Sequence, residues 1–289
     1  MLAAALLLAG CASTPVVAPA AARTETGPVA VVPAVAADDN LNAVVWVQRS
    51  AEYAASTTSI YRAATARLEA ALKSGQDALD PAERGNPAKG LPPAVIVDID
   101  ETVLDNSPYQ ARLVASGKEF ENAGWDQWVA EQRARAVPGA VEFARAAEAK
   151  GITMFYISNR AAQQKEATLA NLKAVGLPVK DDGVFLGLGM IVADCEQKGS
   201  EKGCRRKLVG HKYRVLMQVG DQLGDFIQVP VNTPEARAGL AGRHADWWGE
   251  RWWMLPNPTY GGWEPALFNN DRKLPRDARR RAKRDALIK

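Results

Sequence analysis

The sequence predicts an α/β fold, with helices covering both faces of a parallel sheet, and three observations carry that prediction. Short runs that are apolar on both faces, at Ala94 to Val97, Ile152 to Ile157 and Tyr213 to Val219, read as buried parallel strands. Helical segments separate them, as the crossovers between parallel strands require. Each run also ends in polar residues: Asp98 and Asp100 after the first, Ser158, Asn159 and Arg160 after the second, Asp221 and Asp225 after the last. In a parallel sheet those ends meet at one edge, where open α/β folds bind their ligands.

In chain order, Asp38, Asp39 and Asn40 are candidate caps for a long helical pattern. Leu41, Val44, Val45, Ala51, Ala55, Tyr61, Ala64, Leu68 and Leu72 recur near helical spacing as far as about Lys73. Asp77 to Pro93, with four prolines, is a connector into a strand expected over residues 94 to 100. Alternation along that strand would send Asp98 and Asp100 the same way, a costly pairing of like charges unless a cation or proton lies between them. A mixed helical segment with Tyr109, Trp125 and Trp128 runs to Val137-Pro138-Gly139, and Ala140 to Lys150 is a helix stopped by Gly151. After the second strand, Ala161 to Val175 is helical, with Gly176 as its stop. Val184 to Leu188 is a third strand and Tyr213 to Val219 a fourth, ending in Gly220-Asp221-Gln222-Leu223-Gly224-Asp225-Phe226. The tryptophans between Trp247 and Trp253 read as core or hydrophobic cover, and no period repeats along the chain.

Composition excludes several classes. Only His211 and His244 are present, which leaves little room for a zinc site, and Ala245 after Arg243-His244 breaks the Arg-His-Gly signature of histidine phosphatases. If a metal is bound, oxygen ligands and a hard cation suit these residues better. The net charge of +3 belongs to the tail: residues 272 to 289 hold nine Lys and Arg against Asp277 and Asp285, leaving 27 basic and 31 acidic residues elsewhere. A solvated terminal helix is the simplest reading of that tail. Its charges are not interleaved with aromatic residues, so no nucleic acid polymer is expected as a partner.

Two resemblances sharpen these expectations. Leu8-Ala9-Gly10-Cys11, directly after the apolar run Leu2 to Leu8, resembles a bacterial lipoprotein signal with its lipobox. The run is too short to span a bilayer. This resemblance implies a signal peptide over residues 1–10 and a lipidated Cys11 opening a disordered Ala/Pro-rich tether over 11–38. It also implies an outer-membrane location, with the domain of residues 39–289 facing the periplasm or the cell surface. Asp98-Ile99-Asp100-Glu101-Thr102, Ser158, a loop lysine and the Gly220 to Phe226 stretch appear in the order of the four motifs of the haloacid dehalogenase (HAD) superfamily. Leu104 to Gln110, the Trp125 and Trp128 pair, Arg135 to Phe143 and Met254 to Glu264 are similar to the class C acid phosphatases, the lipoprotein e family of 5′-nucleotidases.

The resemblance implies a Rossmann-like HAD core plus a small, mainly helical subdomain built from the N-terminal helix and residues 103–137. It implies hydrolysis of phosphomonoesters, with nucleotides favoured, through an aspartyl phosphate. Asp98 would be the nucleophile and Asp100 the general acid and base. Mg²⁺ would sit on Asp98, the backbone carbonyl of Asp100 and Asp221, with Asp225 supporting its water shell. Ser158, the Asn159 amide and a loop lysine would bind phosphoryl oxygens. Lys202 is favoured because Lys202-x-x-Arg205 matches the family's spacing, with Lys198 and Lys207 left open. Trp125 and Tyr260 match positions where the family stacks a base, and subdomain core is their alternative. No large lid fits between Asp100 and Ser158. Beyond the membrane, with Cys11 lipidated, Cys195 and Cys204 form an even pair suited to a disulfide. The rival readings are a ligand-capturing lipoprotein without turnover and a phosphotransferase; intact Asp98 and Asp100 favour an enzyme over a binder. Self-association is left open.

A chain beginning at Asp38 is expected to be soluble and to keep full activity, because residues 12 to 37 lack the composition to build a core. Turnover by that chain, measured against the full sequence, is the check. A folded but inactive product would show that the tether contributes to the site.

Overall fold

The computed structural model describes residues 37–289. The expected signal peptide, Cys11 and all but the last two residues of the expected tether lie outside them. The long N-terminal helical pattern is two helices, α1 (Leu41–Arg49) and α2 (Ala51–Ser74). Ser50 between them is extended, and its hydroxyl accepts the Tyr53 N–H at 3.0 Å, so it caps α2. Apolar spacing continues across the break because it reports burial and not backbone path. The Tyr61 hydroxyl, buried on α2, donates to the Thr102 carbonyl at 2.7 Å, which ties this helix to the loop carrying the first two acids.

The elements that follow are β1 (Pro93–Val97), β2 (Leu104–Asp105), α3 (Ser107–Ser116), α4 (Asn122–Ala130), β3 (Arg135–Ala136) and α5 (Ala140–Ala149). Then come β4 (Thr153–Ala161), α6 (Lys165–Ala174), β5 (Phe185–Leu188), α7 (Gly203–Lys212) and β6 (Arg214–Gly220), followed by α8 (Pro234–Arg243), β7 (Trp252–Met254) and α9 (Arg276–Asp285). Among the described residues the main sheet has five parallel strands in the order β5-β4-β1-β6-β7. β1 and β6 are buried along almost their whole length, as the uninterrupted apolar runs require. α5 packs on β4, α6 on β5, and α7 on both β4 and β6; the right-handed rule for parallel crossovers assigns α5 and α6 to one face and α7 to the other. α2 packs on α5 and reaches β6 and β7, while α1 packs on α3.

Several boundaries differ from the sequence reading. The second strand, expected over Ile152 to Ile157, continues to Ala161, so Ser158, Asn159 and Arg160 lie within β4, and the helix expected from Ala161 begins at Lys165. β1 ends at Val97 and not at residue 100, because the chain turns at once through Glu101, whose φ of 59° no strand allows. Trp252 and Trp253, read as core or cover, are buried as expected but also form the unexpected strand β7: Trp252 is fully buried, and its indole N–H donates to the Ala78 carbonyl at 2.8 Å. Trp247 and Trp248 pack edge-on against it, with ring centroids 4.8 and 5.3 Å away. α9 has no buried residue. Its Arg276, Arg279, Arg280 and Lys283 reach Asp38, Glu119, Asp39 and Glu264, surface pairs of small individual worth.

Register explains why the strand ends meet. Val97 pairs with Tyr156 of β4 on one side and with Val219 of β6 on the other. Asp98, Ser158 and Asp221 therefore follow within two residues of one level across the sheet. The loop between β5 and α7 is closed by a disulfide between Cys195 and Cys204, whose Cα atoms are 5.6 Å apart, and Cys204 lies in the first turn of α7.

Closing so short a loop restrains the unfolded chain by roughly 2–3 kcal/mol in the entropy model. Cys195→Ser is expected to lower stability by about that amount, read from chemical denaturation. Thiol titration of the unfolded, unreduced chain beginning at Asp38 should find no free thiol, and two free thiols would exclude the bridge.

Candidate active site

Asp98, Asp221 and Asp225 each bring a carboxylate oxygen to within 4.8 Å of the others, and all three are buried. One ammonium answers them. Lys202, at the N-terminal cap of α7, is buried with its Nζ on Asp98 Oδ1 and 2.7 Å from Asp225 Oδ1. Of the three lysines left open by the sequence, Lys202 is the one that reaches the acids; Lys198 is exposed and Lys207 half-buried. Burial pushes Asp98 well above the usual carboxylate range, with Lys202 opposing and Asp225, Asp221 and Asp100 adding to the rise. Burial and Asp225 push Asp221 up to about 6, against hydrogen bonds from Asn257 and Gln222. For Lys202, burial works to lower the pKa, but Asp225 and Asp98 outweigh it and the ammonium is raised. Three buried acids around one cation leave negative charge over, and an all-oxygen donor set with that excess fits a hard divalent cation.

The two carboxylates expected to point the same way take different company, because the chain has left the strand before reaching them. Asp100 accepts from Asn106 Nδ2 and Arg160 Nε at Oδ1, each at 2.9 Å, and from the Ser158 hydroxyl at Oδ2 at 3.1 Å. Its side chain is outside the group of three acids. Asp225 Oδ2 accepts the backbone N–H groups of Asp221 and Gln222 at 3.1 and 2.8 Å, so it shapes the loop as well as facing Lys202. A Cβ on Gly220 would collide with the Asp225 side chain, which is why that position is glycine. Asp221 is held by Thr102 Oγ1 at 3.0 Å and by Gln222 and Asn257, both at 2.8 Å.

Two consecutive arginines of α7 fasten the end of β4 and the loop after β6. Arg205 donates to the Ser158 carbonyl and, at 2.8 Å, to Asn159 Oδ1. Arg206 donates to the carbonyls of Gly224 and Asp225 at 2.7 and 3.0 Å, and is itself paired with buried Glu83. The Lys202-to-Arg206 turn thus braces the ends of β4 and β6 together. Sequence reasoning left Arg206 and Glu83 without a role, since a salt bridge across 123 positions has no local signature.

The aromatic candidates adjoin the partners of these acids, Trp125 through Arg160 and Tyr260 through Glu101. Trp125 is half-buried, edge-on to Tyr109 at 5.2 Å, with the Arg160 guanidinium 5.5 Å from its ring centre. The Tyr260 hydroxyl donates to Glu101, a carboxyl that burial, followed by Asp100 and Asp221, raises well above its ordinary range. Glu101 also accepts the Asn106 N–H at 2.8 Å, so it links the C-terminal segment to the first loop. Arg160, Asn106, Glu101 and Asn257 are the residues of this site whose parts sequence reasoning missed.

The model of the HAD superfamily, subfamily IIIB (acid phosphatase), matches residues 5–263. The chain is similar to the class C acid phosphatase from Bacillus anthracis at 32% identity, covering 86% of this chain and 97% of that one with a TM-score of 0.75. The tungstate-bound structure of that enzyme aligns equally well, at 31% identity. Among curated relatives, it is 28% identical over 166 residues to the stem 31 kDa glycoprotein of Glycine max, covering 57% of this chain and 58% of that one. It is 24% identical over 132 residues to acid phosphatase 1 of Solanum lycopersicum, covering 46% and 51%. The chain thus spans a little over half the length of the curated relatives it matches. A family model that runs from the N-terminal region through the polar residues of all three strand ends, together with a structural likeness over nearly the whole bacterial enzyme, establishes that this chain belongs to the HAD superfamily, subfamily IIIB.

Proposed function

We propose that the chain is a Mg²⁺-dependent phosphomonoesterase, an acid phosphatase of the 5′-nucleotidase type, working through an aspartyl phosphate on nucleotides and similar monoesters. The observation that carries this reading is the contrast between two acids two residues apart. Asp98 lies among other carboxylates and touches Lys202, whereas Asp100 is gripped by the donors of Ser158, Asn106 and Arg160. Acids in unlike surroundings take unlike roles.

In this reading an Asp98 oxygen attacks phosphorus as the bond to the leaving oxygen breaks, and Asp100 gives that oxygen its proton. Asp100 then takes a proton from water, which attacks the phosphorus, returns Asp98 as a carboxylate and releases inorganic phosphate. Ser158, the Asn159 amide and Lys202 bind the phosphoryl oxygens and offset the charge spread over them in the transition state. A hard divalent cation held by Asp98, Asp221, Asp225 and the backbone carbonyl of Asp100 supplies neutralising charge for acids and phosphate alike. The tungstate bound by the similar Bacillus anthracis enzyme is a tetrahedral oxyanion, which supports a phosphoryl site. Trp125 and Tyr260 would flank the base of a nucleotide, supported by their places beside Arg160 and Glu101. Anchoring to the outer membrane through Cys11 belongs to the proposal and rests on the Leu8-Ala9-Gly10-Cys11 segment. Among the described residues no helix is long and apolar enough to cross a membrane.

The chain is expected to turn over p-nitrophenyl phosphate with Mg²⁺ and to stop on chelation; ligand binding without turnover would instead make it a capture protein. Asp98→Asn should fall below about a hundredth of wild-type kcat with its fold intact, as loss of a nucleophile demands. Lys202→Ala should lose about 10²-fold or more, the worth of a transition-state charge contact, while Lys198→Ala and Lys207→Ala stay near wild type. An unharmed Lys202→Ala enzyme would move the phosphate-binding role elsewhere.

A further inference from the structure

Asp100 does not stand alone at its strand end. Its Oδ1 receives two donors, Arg160 Nε and Asn106 Nδ2, both at 2.9 Å, while Oδ2 receives the Ser158 hydroxyl alone. A carboxylate oxygen offers two lone-pair directions, so two donors leave Oδ1 no room for a proton, whereas Oδ2 keeps one direction free. Both donors are fixed from the helical segment. The Trp128 indole N–H on α4 donates to Asn106 Oδ1 at 2.7 Å, and Arg160 donates to the same oxygen at 3.3 Å. Two donors on that oxygen turn the amide so that its Nδ2 faces Asp100. Arg160 also reaches Thr168 Oγ1 at 3.3 Å and lies over the Trp125 ring. Arg160 and Asn106 are 1% and 0% exposed, so neither pair competes with water.

We infer that Arg160 and Asn106 are positioning residues that confine the acid proton to Oδ2 of Asp100, and that the tryptophans of α4 hold them in place. The inference rests on Asp100 as general acid. Its consequence is that α4, which supplies none of the reacting groups, governs leaving-group protonation through the path Trp128, Asn106, Asp100. The cation over the Trp125 face is the same guanidinium that grips Asp100, so the aromatic lip and the acid share one residue.

The test uses two esters without a base, so that stacking on Trp125 plays no part. p-Nitrophenolate leaves without a proton; the alkoxide of glycerol phosphate does not. Trp128→Phe keeps the apolar bulk and deletes only the donor to Asn106. It is expected to lower kcat/KM on glycerol phosphate about tenfold, the worth of one hydrogen bond in the transition state. On p-nitrophenyl phosphate it should change kcat/KM less than about twofold, with melting temperature near wild type. Arg160→Gln should show the same selectivity, at about 10²-fold on glycerol phosphate. In an Asp100→Asn background, Trp128→Phe should add no further selective loss. Equal losses on both esters, no loss on either, or a loss confined to KM would overturn the inference. Because Asp100 also serves the water step common to both esters, the comparison is read in kcat/KM, which ends at phosphoryl transfer to Asp98; if Asp100→Asn lowers kcat/KM on both esters equally, the general-acid reading falls and the inference with it. Selective Asp100→Asn with unselective Trp128→Phe would remove the inference alone.

Discussion

The contact between Lys202 and the acids at the ends of β1 and β6 is the constraint around which the rest is arranged. Buried carboxylates persist only if their charge is answered. Here one ammonium faces Asp98 and Asp225, with Asp221 close by. The cation must be brought from a different element, since β1 and β6 supply only acids at their ends. α7 delivers it, and the structure around α7 reads as a set of devices for holding that helix in register: the disulfide at its first turn, Arg205 on the C-terminal part of β4, and Arg206 on the loop after β6 and on Glu83. Arg205 and Arg206 are both fully buried; Arg205 gives most of its hydrogen bonds to backbone carbonyls, and Arg206 divides its own between two carbonyls and the Glu83 carboxylate. Rigid placement of loops by buried guanidinium groups suits a site that must hold charge without water.

How much of this was legible in the sequence follows from the range of each interaction. β1, β4 and β6 could be read because burial on both faces leaves a local mark, an unbroken apolar run. Asp98, Ser158 and Asp221 could be placed at one edge because parallel register makes strand ends meet. The break at Ser50 was hidden, because α1 and α2 continue one apolar rhythm while the backbone changes direction at a single residue. β7 was hidden for a different reason: three residues, two of them tryptophans, carry the mark of core packing equally well as that of a strand. Choosing among Lys198, Lys202 and Lys207 needed the turn of α7, which spacing alone does not fix. Arg160 was visible only as a polar residue at a strand end, because its partners Asn106, Asp100 and Thr168 come from two other segments.

The fate of Asp98 and Asp100 shows how a short stretch of backbone separates two roles. Had β1 continued to residue 100, alternation would have aimed both carboxylates into one electrostatic environment. Instead the strand stops at Val97, the Asp98 N–H still bonds to the Val219 carbonyl at 3.0 Å, and by Glu101 the chain is left-handed. Asp98 is therefore fixed to the sheet and shares its surroundings with the acids of β6, while Asp100 is carried toward Ser158 and the helical segment.

That turn is stabilised from outside itself. Glu101, in a conformation unfavourable for a side chain of its size, is held by the Asn106 N–H and the Tyr260 hydroxyl, and the Thr102 carbonyl by Tyr61 of α2. Two distant parts of the chain, α2 and the segment near Tyr260, and the adjacent Asn106 turn each contribute one hydrogen bond to this loop. An unfavourable local geometry persists only where the surrounding fold over-determines it, and here the geometry is the one that gives two neighbouring acids separate partners. The helices and the C-terminal segment thus serve the site by fixing the shape of the loop from which its acids project.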